Sequence, residues 1–543
     1  MKKRIVLSLF AIIFIALFLY SSSSCGPKHE HSYKWQTNEE KHWEKCDCGD
    51  IIEEDVHSFI NEICSICNYQ KGTEGLTFEL NEEGTGYIIS ASRFEGESIV
   101  IPNTYQNLPV VGIADQAFEG CSSLTSIYIP TSIKSVGENI YSWSSNRIKD
   151  RNIYYEGNIR DWCNISFQST VFASGLTSSD EGHFYLRNNA NEWEEVTEID
   201  IPADVNELSS FHFTNLPSII SVTIADDVKI EENRWILWNC KNIKKIKSSG
   251  FILSRCVLSR VEEVTITSGE IEDECFHSKD NNLGNLKIVT IEDGVTSIGV
   301  EAFEDCSGLT SITIPNSVIS IGVGAFKNCR NLESITIPFI GEVLDLEGTL
   351  NRKLEYIFRT STGGSVPSSL KEVIITGGFI GDSAFSGCSS IESIIMENGV
   401  TGIGASAFKN CSSLTSITIP DSVTNIGWDA FFGCNNLLYN SYFNGLYLGN
   451  EKNPYVVFVK PKSTDIHYIE IYSNTRHFLY DAFAGCDSLE NVYYVGTIED
   501  WCKIRFQRAG NIQDNLSTPM AYASHFYLRN STNEWEEVTS IGH

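Results

Sequence analysis

One phrase returns along this chain: Ala-Phe, two residues, Cys, two more, and then Leu-x-x-Ile-x-Ile-Pro. It reads AFEGCSSLTSIYIP from Ala117, AFEDCSGLTSITIP from Ala302, AFKNCRNLESITIP from Ala325 and AFKNCSSLTSITIP from Ala407. Phe303 and Phe326 are 23 residues apart, as are Phe385 and Phe408, and Phe408 and Phe431. A fixed period in the twenties built on regularly spaced Leu and Ile residues means a solenoid of stacked rungs. A solenoid offers a long surface rather than a pocket made by chain crossing.

The rung from Leu414 to Cys434, LTSITIPDSVTNIGWDAFFGC, shows what one turn must do. Its β-branched run Leu414–Ile419 predicts a strand of a parallel ladder. Pro420 lacks an N–H and ends that strand. Val423 and Ile426 form a second apolar pair, Gly427 breaks the run, and Phe431 and Cys434 point inward from the return segment. Each rung thus supplies about seven apolar side chains, at roughly 1.5–3 kcal/mol apiece on burial. Chain ordering cancels most of that gain, so rungs are stable only when stacked. The ladder cysteines Cys121, Cys306, Cys329, Cys388, Cys411, Cys434 and Cys486, with Cys240 as a further candidate, invite a metal or redox reading. Free Cys is also a small buried hydrophobe, and a column of Cys suits a tight turn.

These repeats resemble the BspA-like leucine-rich repeats of surface proteins, a 23-residue class, over roughly residues 76–543. The resemblance implies a β-rich solenoid: a leucine-rich-repeat right-handed superhelix with a parallel β-sheet face. It also implies adhesion or binding at the cell surface.

The chain has 543 residues and a net charge of −30, from 40 basic and 70 acidic side chains. That charge argues against nucleic-acid partners, which need a basic footprint, and against electrostatic binding to anionic membranes. Met1-Lys2-Lys3-Arg4 followed by the sixteen-residue apolar run Ile5–Tyr20 reads as an export signal. Three outcomes are open: a cleaved signal, an uncleaved anchor (short for a span), or a lipoprotein whose mature chain begins at Cys25. Ser22–Cys25 resembles a bacterial lipobox, with Ser22 where Leu is usual. The expected organisation is a signal peptide over 1–24, a Cys/His-rich module over 25–72 and the solenoid over 73–543. Contact with a membrane is expected only through a lipid or signal anchor.

In the small module, Cys46 and Cys48 are followed by Cys64 and Cys67. Two close pairs at this separation suggest a structural zinc site. His57 is an alternate ligand, and His31 and His42 also lie close in sequence. A module this small needs a staple. Two disulfides are the competing reading for an exported protein. The segment also resembles short His/Trp/Cys repeats of exported proteins from gut bacteria.

Two cassettes break the period. Residues 154–202 contain YYEGNIRDWCNISF and HFYLRNNANEWEEV, and residues 493–543 repeat them as YYVGTIEDWCKIRF and HFYLRNSTNEWEEV. Their aromatics, among them Tyr154, Tyr155, Trp162, Tyr185 and Trp193, suggest either a sugar-stacking platform or the filling of a wider rung. A third cassette, 442–486, has turn signals at Asn444-Gly445 and Gly449-Asn450. The second copy stops mid-phrase at His543, which reads as a truncated product or as a bare edge strand open to pairing.

Alternation along the strands sends Ser311, Thr313, Ser334, Thr336, Ser416 and Thr418 outward as a hydroxyl-rich candidate binding face. No G-x-S-x-G, H-E-x-x-H, P-loop or dinucleotide fingerprint is present, and no enzyme is expected. Three functions remain: binding of an extracellular protein or glycan, a passive surface coat, or zinc handling through residues 29–67.

Overall fold

The computed structural model describes residues 72–138, 140, 151–168, 182–208, 212–230, 236–237, 240–254, 256, 260–276, 283–344, 353–359, 366–507 and 518–539, together with the backbone of short strands between 33 and 64. Those short strands form an antiparallel sheet of Tyr33–Thr37, Lys41–Cys46 and Ile51–Val56, and a small hairpin of Phe59–Ile60 with Ile63–Cys64. The chain divides into two compact units, one of residues 1–196 and 207–218, the other of 197–206 and 219–543. Among the described residues no helix is long and apolar enough to cross a membrane.

The strands follow from alternation. In Ser311–Thr313, Ile312 is buried between two exposed neighbours, and in Ser334–Ile337 the two Ile side chains point in while Ser334 and Thr336 stay half-exposed. A side-chain period of two puts every second residue on the core face. Identical rungs then align in register: Ser311 beside Ser334, Ile312 beside Ile335, Thr313 beside Thr336.

In the second unit the parallel ladder runs through Glu198–Ile201, Ser221–Ile224, Lys245–Ser248, Glu263–Ile271, Ile288–Ile298, Ser311–Thr313, Ser334–Ile337, Glu372–Ile380, Ser393–Ile403 and Ser416–Thr418. A meander of Asn440–Tyr442, Gly445–Leu448 and Val457–Pro461 follows, and then a second parallel set, Tyr468–Ile471, Asn491–Tyr494 and His525–Arg529. The first meander turn is Phe443-Asn444, with Phe443 left-handed at φ 51°, one residue earlier than the Asn-Gly signal suggests.

In the first unit Ser98–Val100, Ser126–Ile129, Arg151–Tyr155 and Gly182–Arg187 make an equivalent parallel ladder. Both ladders that contain a duplicated cassette end alike. Trp193–Glu195 folds back antiparallel on Gly182–Arg187, and Trp535–Glu537 folds back on His525–Arg529. The expectation of a bare parallel edge at the end of the second copy is therefore replaced: an antiparallel strand covers it. The sheet pairs Tyr527 with Glu537, as it pairs Tyr185 with Glu195.

Inside, the repeated Phe side chains stack from rung to rung. Phe303 and Phe326 lie 5.3 Å apart and nearly parallel, and Phe408 sits 5.2 Å from Phe385 and 5.5 Å from Phe431. Phe276 joins the column at 4.9 Å from Phe303, although its rung carries Cys275 where the others have Ala. Phe358, from a short 3-10 helix at Leu354–Phe358, extends it 6.3 Å beyond Phe326. The return segment needs two left-handed residues per rung. Ser406 and Asn410 adopt φ 54° and 60° around Ala407-Phe408, and Ser383 and Gly387 do the same around Ala384-Phe385. Small polar residues and Gly accept this region at least cost.

An outward-facing constellation repeated in each unit

Among the described residues, Cys163, Cys256, Cys306, Cys329, Cys388, Cys411, Cys434, Cys486 and Cys502 are free thiols. Those of the ladder are packed thiols: Cys121, Cys306, Cys329, Cys411, Cys434 and Cys486 are buried. Several donate S–H to a main-chain carbonyl of the preceding rung, Cys329 to Phe303 at 3.2 Å, Cys411 to Phe385 at 3.1 Å and Cys434 to Phe408 at 3.0 Å. Burial pushes the Cys329 and Cys388 thiols up to about 12, so they stay protonated. The column is a hydrogen-bonded seam of the core, and the bland reading of the sequence accounts for it.

No group of three or more His, Cys, Asp or Glu among the described residues is placed to hold a metal ion. The zinc candidates stand apart from that statement. Cys48, His57 and Cys67 lie outside the described residues, as do the side chains of Cys46 and Cys64, and so does the lipidation candidate Cys25. Glu270, Glu272, Asp273 and Glu342 line a shallow cleft of about 570 Å³ in the second unit. Asp273 spends one oxygen on the Val300 amide at 2.7 Å.

The six hydroxyl candidates lie on the outer face. Ser311, Thr313 and Ser416 are exposed, and Ser334, Thr336 and Thr418 are half-buried by their neighbours. They run in register: Ser334 next to Glu372, which is next to Ser393 and then Ser416. The row is thus less uniform than the clean repeats suggest, because the degraded rung inserts Glu372 and Ile374.

The duplicated cassettes split their aromatics between the two faces. Tyr155, Trp162, Phe167 and Phe184 are buried, and the Trp162 indole donates to the His212 carbonyl at 3.1 Å. These fill a wider rung, as one of the two sequence readings has it. Tyr128, Tyr154 and Tyr185 point the other way and stack as a row, with ring centres 4.4 and 4.6 Å apart. Trp193 meets Tyr154 edge-on at 5.2 Å, and the Arg187 guanidinium covers its ring at 4.2 Å. His183 donates to Glu195 at 2.5 Å.

The second copy repeats this arrangement. Tyr493 and Tyr527 stack at 4.7 Å, Trp535 lies 5.0 Å from Tyr493, Arg529 covers Trp535 at 4.7 Å, and His525 donates to Glu537 at 2.6 Å. In place of Tyr128 stands Glu470, which accepts from the Tyr442 hydroxyl at 2.8 Å. The first copy has its extra carboxylate at Glu156, next to Asn103 at 3.5 Å. Burial raises the Glu156 pKa, against a lowering pull from Arg187 and Asn103. Burial, with the neighbouring Tyr128, Tyr185 and Glu195, pushes Tyr154 up to about 12. Burial and then Glu470 do the same for Tyr442. The Tyr154 and Tyr442 phenols are O–H groups at neutral pH, able to donate and accept.

Sequence reasoning missed the outward half of this site, namely Glu156, Arg187 and the His–Glu pairs. A signal existed. In Tyr154-Tyr155 and Tyr493-Tyr494 a strand must send one ring to each face.

The family profile of the BspA type leucine rich repeat region matches in six copies, across residues 87–190, 162–281, 269–345 and 378–513. No curated protein matches the chain. Among solved structures, a leucine-rich repeat protein from Bacteroides ovatus is similar at 18% identity, covering 81% of this chain and 100% of that one, with a TM-score of 0.29. One from Eubacterium ventriosum has 20% identity, coverage of 68% and 96%, and a TM-score of 0.26. A leucine rich cell surface protein from Faecalibacterium prausnitzii has 19% identity, coverage of 80% and 97%, and a TM-score of 0.19. With the repeat profile matching well over half its length, the chain belongs to the BspA-type leucine-rich repeat family.

Proposed function

We propose that this is an exported, surface-displayed repeat protein that binds an extracellular protein or glycan through the outward face of its parallel ladders. The observation that carries this reading is the face itself. Ser311, Thr313 and Ser416 stand exposed on strands held in register by a fully buried opposite side, so polar groups are displayed at a fixed rise. A rigid scaffold that presents polar and aromatic side chains in rows suits binding over many weak contacts. Among the described residues, the cleft lined by Glu270, Glu272, Asp273 and Glu342 is shallow, and its lining hydroxyls are those of Ser297 and Ser320.

The test is a binding screen of the full chain against extracellular matrix proteins and a glycan array. The Thr336→Arg plus Thr418→Arg variant marks the regular-rung face. A specific ligand for the wild-type chain is expected. Silence across the whole panel would return the protein to a passive coat.

Export and anchoring belong to the same reading, with residues 1–24 as signal and Cys25 as the lipidated residue. Fatty-acid labelling that persists in Cys25→Ser would remove the lipid. Residues 25–72 hold a structural zinc through Cys46, Cys48, Cys64 and Cys67, with His57 as the alternate ligand. Metal analysis of the full chain against a Cys46→Ser/Cys64→Ser variant reads this directly: equal zinc content in the two would sink it.

A further inference from the structure

The regular rungs turn Ser and Thr outward, which any solvated strand tolerates. The two cassettes do not. Between the copies, exposed positions around the short helix have diverged: Arg160 corresponds to Glu499, Asn164 to Lys503 and Ser166 to Arg505. Outward positions on the ladder are the same in both: Tyr154 and Tyr493, His183 and His525, Tyr185 and Tyr527. So are Arg187 and Arg529, Trp193 and Trp535, Glu195 and Glu537. Six positions of five residue kinds are thus kept, together with the acidic Glu194 and Glu536, while several exposed neighbours drift. Packing explains some of this, since Arg187 and Arg529 lie over their Trp rings. It does not explain the tyrosine hydroxyls or a second carboxylate in each copy, Glu156 in one and Glu470 in the other.

The chemistry of the patch narrows its occupant. A sugar stacks on an open ring face, and here the inner faces of each row are taken. Tyr154 is sandwiched between Tyr128 and Tyr185, and Tyr527 occupies one face of Tyr493 while Trp535 closes on it edge-on. What remains outward is a row of phenol oxygens with two carboxylates, one of them hydrogen-bonded to His183 or His525, in a chain of net charge −30. Such a row pairs with a donor-rich cation. Another copy of this chain would bring like charge to it. Tyr, Trp and Arg rows are also the composition of protein-binding hot spots.

We propose that each unit carries one copy of the same docking site, and that its occupant is a Lys- or Arg-bearing segment of a partner protein, two segments per chain. This rests on the binding role given above and names its partner class. Phenol and carboxylate oxygens accept the cationic N–H groups, and the Trp–Arg pair fixes the rim.

The test uses the full chain and an immobilised array of 15-residue peptides graded in Lys and Arg content, with a glycan array as the second arm. Tyr154→Phe/Tyr185→Phe/Glu195→Gln alters the first site, and Tyr493→Phe/Tyr527→Phe/Glu537→Gln the second. Each keeps the ring stacks and the strand backbone, which hydrogen exchange verifies. The expected result is binding of basic peptides with a stoichiometry of two, weakened by salt. Either triple variant should reduce the stoichiometry to one, and the combined variant should weaken binding at least tenfold. Peptide binding unchanged in the combined variant, or a stoichiometry well above two, overturns the inference as diffuse polyanion behaviour and leaves the broader role standing. Glycan binding that depends on these residues, without peptide binding, overturns the partner class. No binding of any peptide or glycan by the wild type overturns both.

Discussion

Cys411 shows a reactive residue type put to structural use. Its thiol is fully buried, donates to the Phe385 carbonyl and is held un-ionised, first by the neighbouring Cys434 thiol and then by burial. The thiolate is the reacting species. At pH 8 the native protein should therefore show fast iodoacetamide labelling at the exposed Cys502 and protection at Cys306, Cys329 and Cys411 until denaturant is added, as read by peptide mass spectrometry. Phe408, like Phe303, is fully buried and stacked on both sides. Phe408→Ala should cost about 3–5 kcal/mol, seen as lost hydrogen-exchange protection in the flanking rungs. His477 sets a pH dependence. It is buried, and its ring Nε2 bonds the Val423 carbonyl at 3.0 Å. Burial above all, helped by Arg505 and Arg476, lowers its pKa from 6.5 to about 4. The unfolded chain therefore takes up the proton first. The stability that rests on neutral His477 is complete above pH 6.5 and is lost as pH falls toward about 4, roughly 3 kcal/mol in all. His477→Gln should flatten that stretch of a urea-midpoint profile. A wild-type profile already flat between pH 6.5 and 4 would contradict it.

At the scale of the element, the return segment is the demanding stretch of the rung. Gly387 sits at φ 78° with open space where a Cβ would go, so Gly387→Ala tests backbone strain alone and should cost about 1–2 kcal/mol. Gly404 fails for another reason. A Cβ there would lie 2.6 Å from the Asp382 amide nitrogen of the rung below, so Gly404→Val should push the neighbouring rungs apart and lower the thermal midpoint more than Gly387→Ala does. The strands and the Phe and Cys columns were readable in the sequence because equal positions in stacked rungs share one environment and so carry one residue type. Phe276 and Phe358 were not, because insertions put them out of period while packing brings them back in. The backward fold of Trp535–Glu537 was hidden for a different reason. Whether a short strand runs with or against its neighbour depends on how the five residues between them turn, not on the strand's own composition. The outward site was half legible. Aromatic density marked the cassettes, but only the ladder register shows that Tyr154 belongs with Tyr185 and that His183 reaches Glu195.

At the scale of the molecule, the duplicated cassette is the piece that ends a ladder. Trp193–Glu195 and Trp535–Glu537 each take the last open row of main-chain groups and present an acidic strand beyond it, which discourages pairing with further chains. Deleting residues 530–539 should uncover His525–Arg529 and produce concentration-dependent association in light scattering that the intact chain does not show. Equal association of both proteins would count against the closing role. The long ladder of the second unit grows by similar pieces, because Phe385, Phe408 and Phe431 keep one spacing in sequence and stack at 5.2 and 5.5 Å. An in-frame duplication or loss of twenty-three codons there adds or removes one rung and leaves the closing strands untouched. The reach of the displayed surface is thus open to change in a single genetic event, without a new fold having to be found.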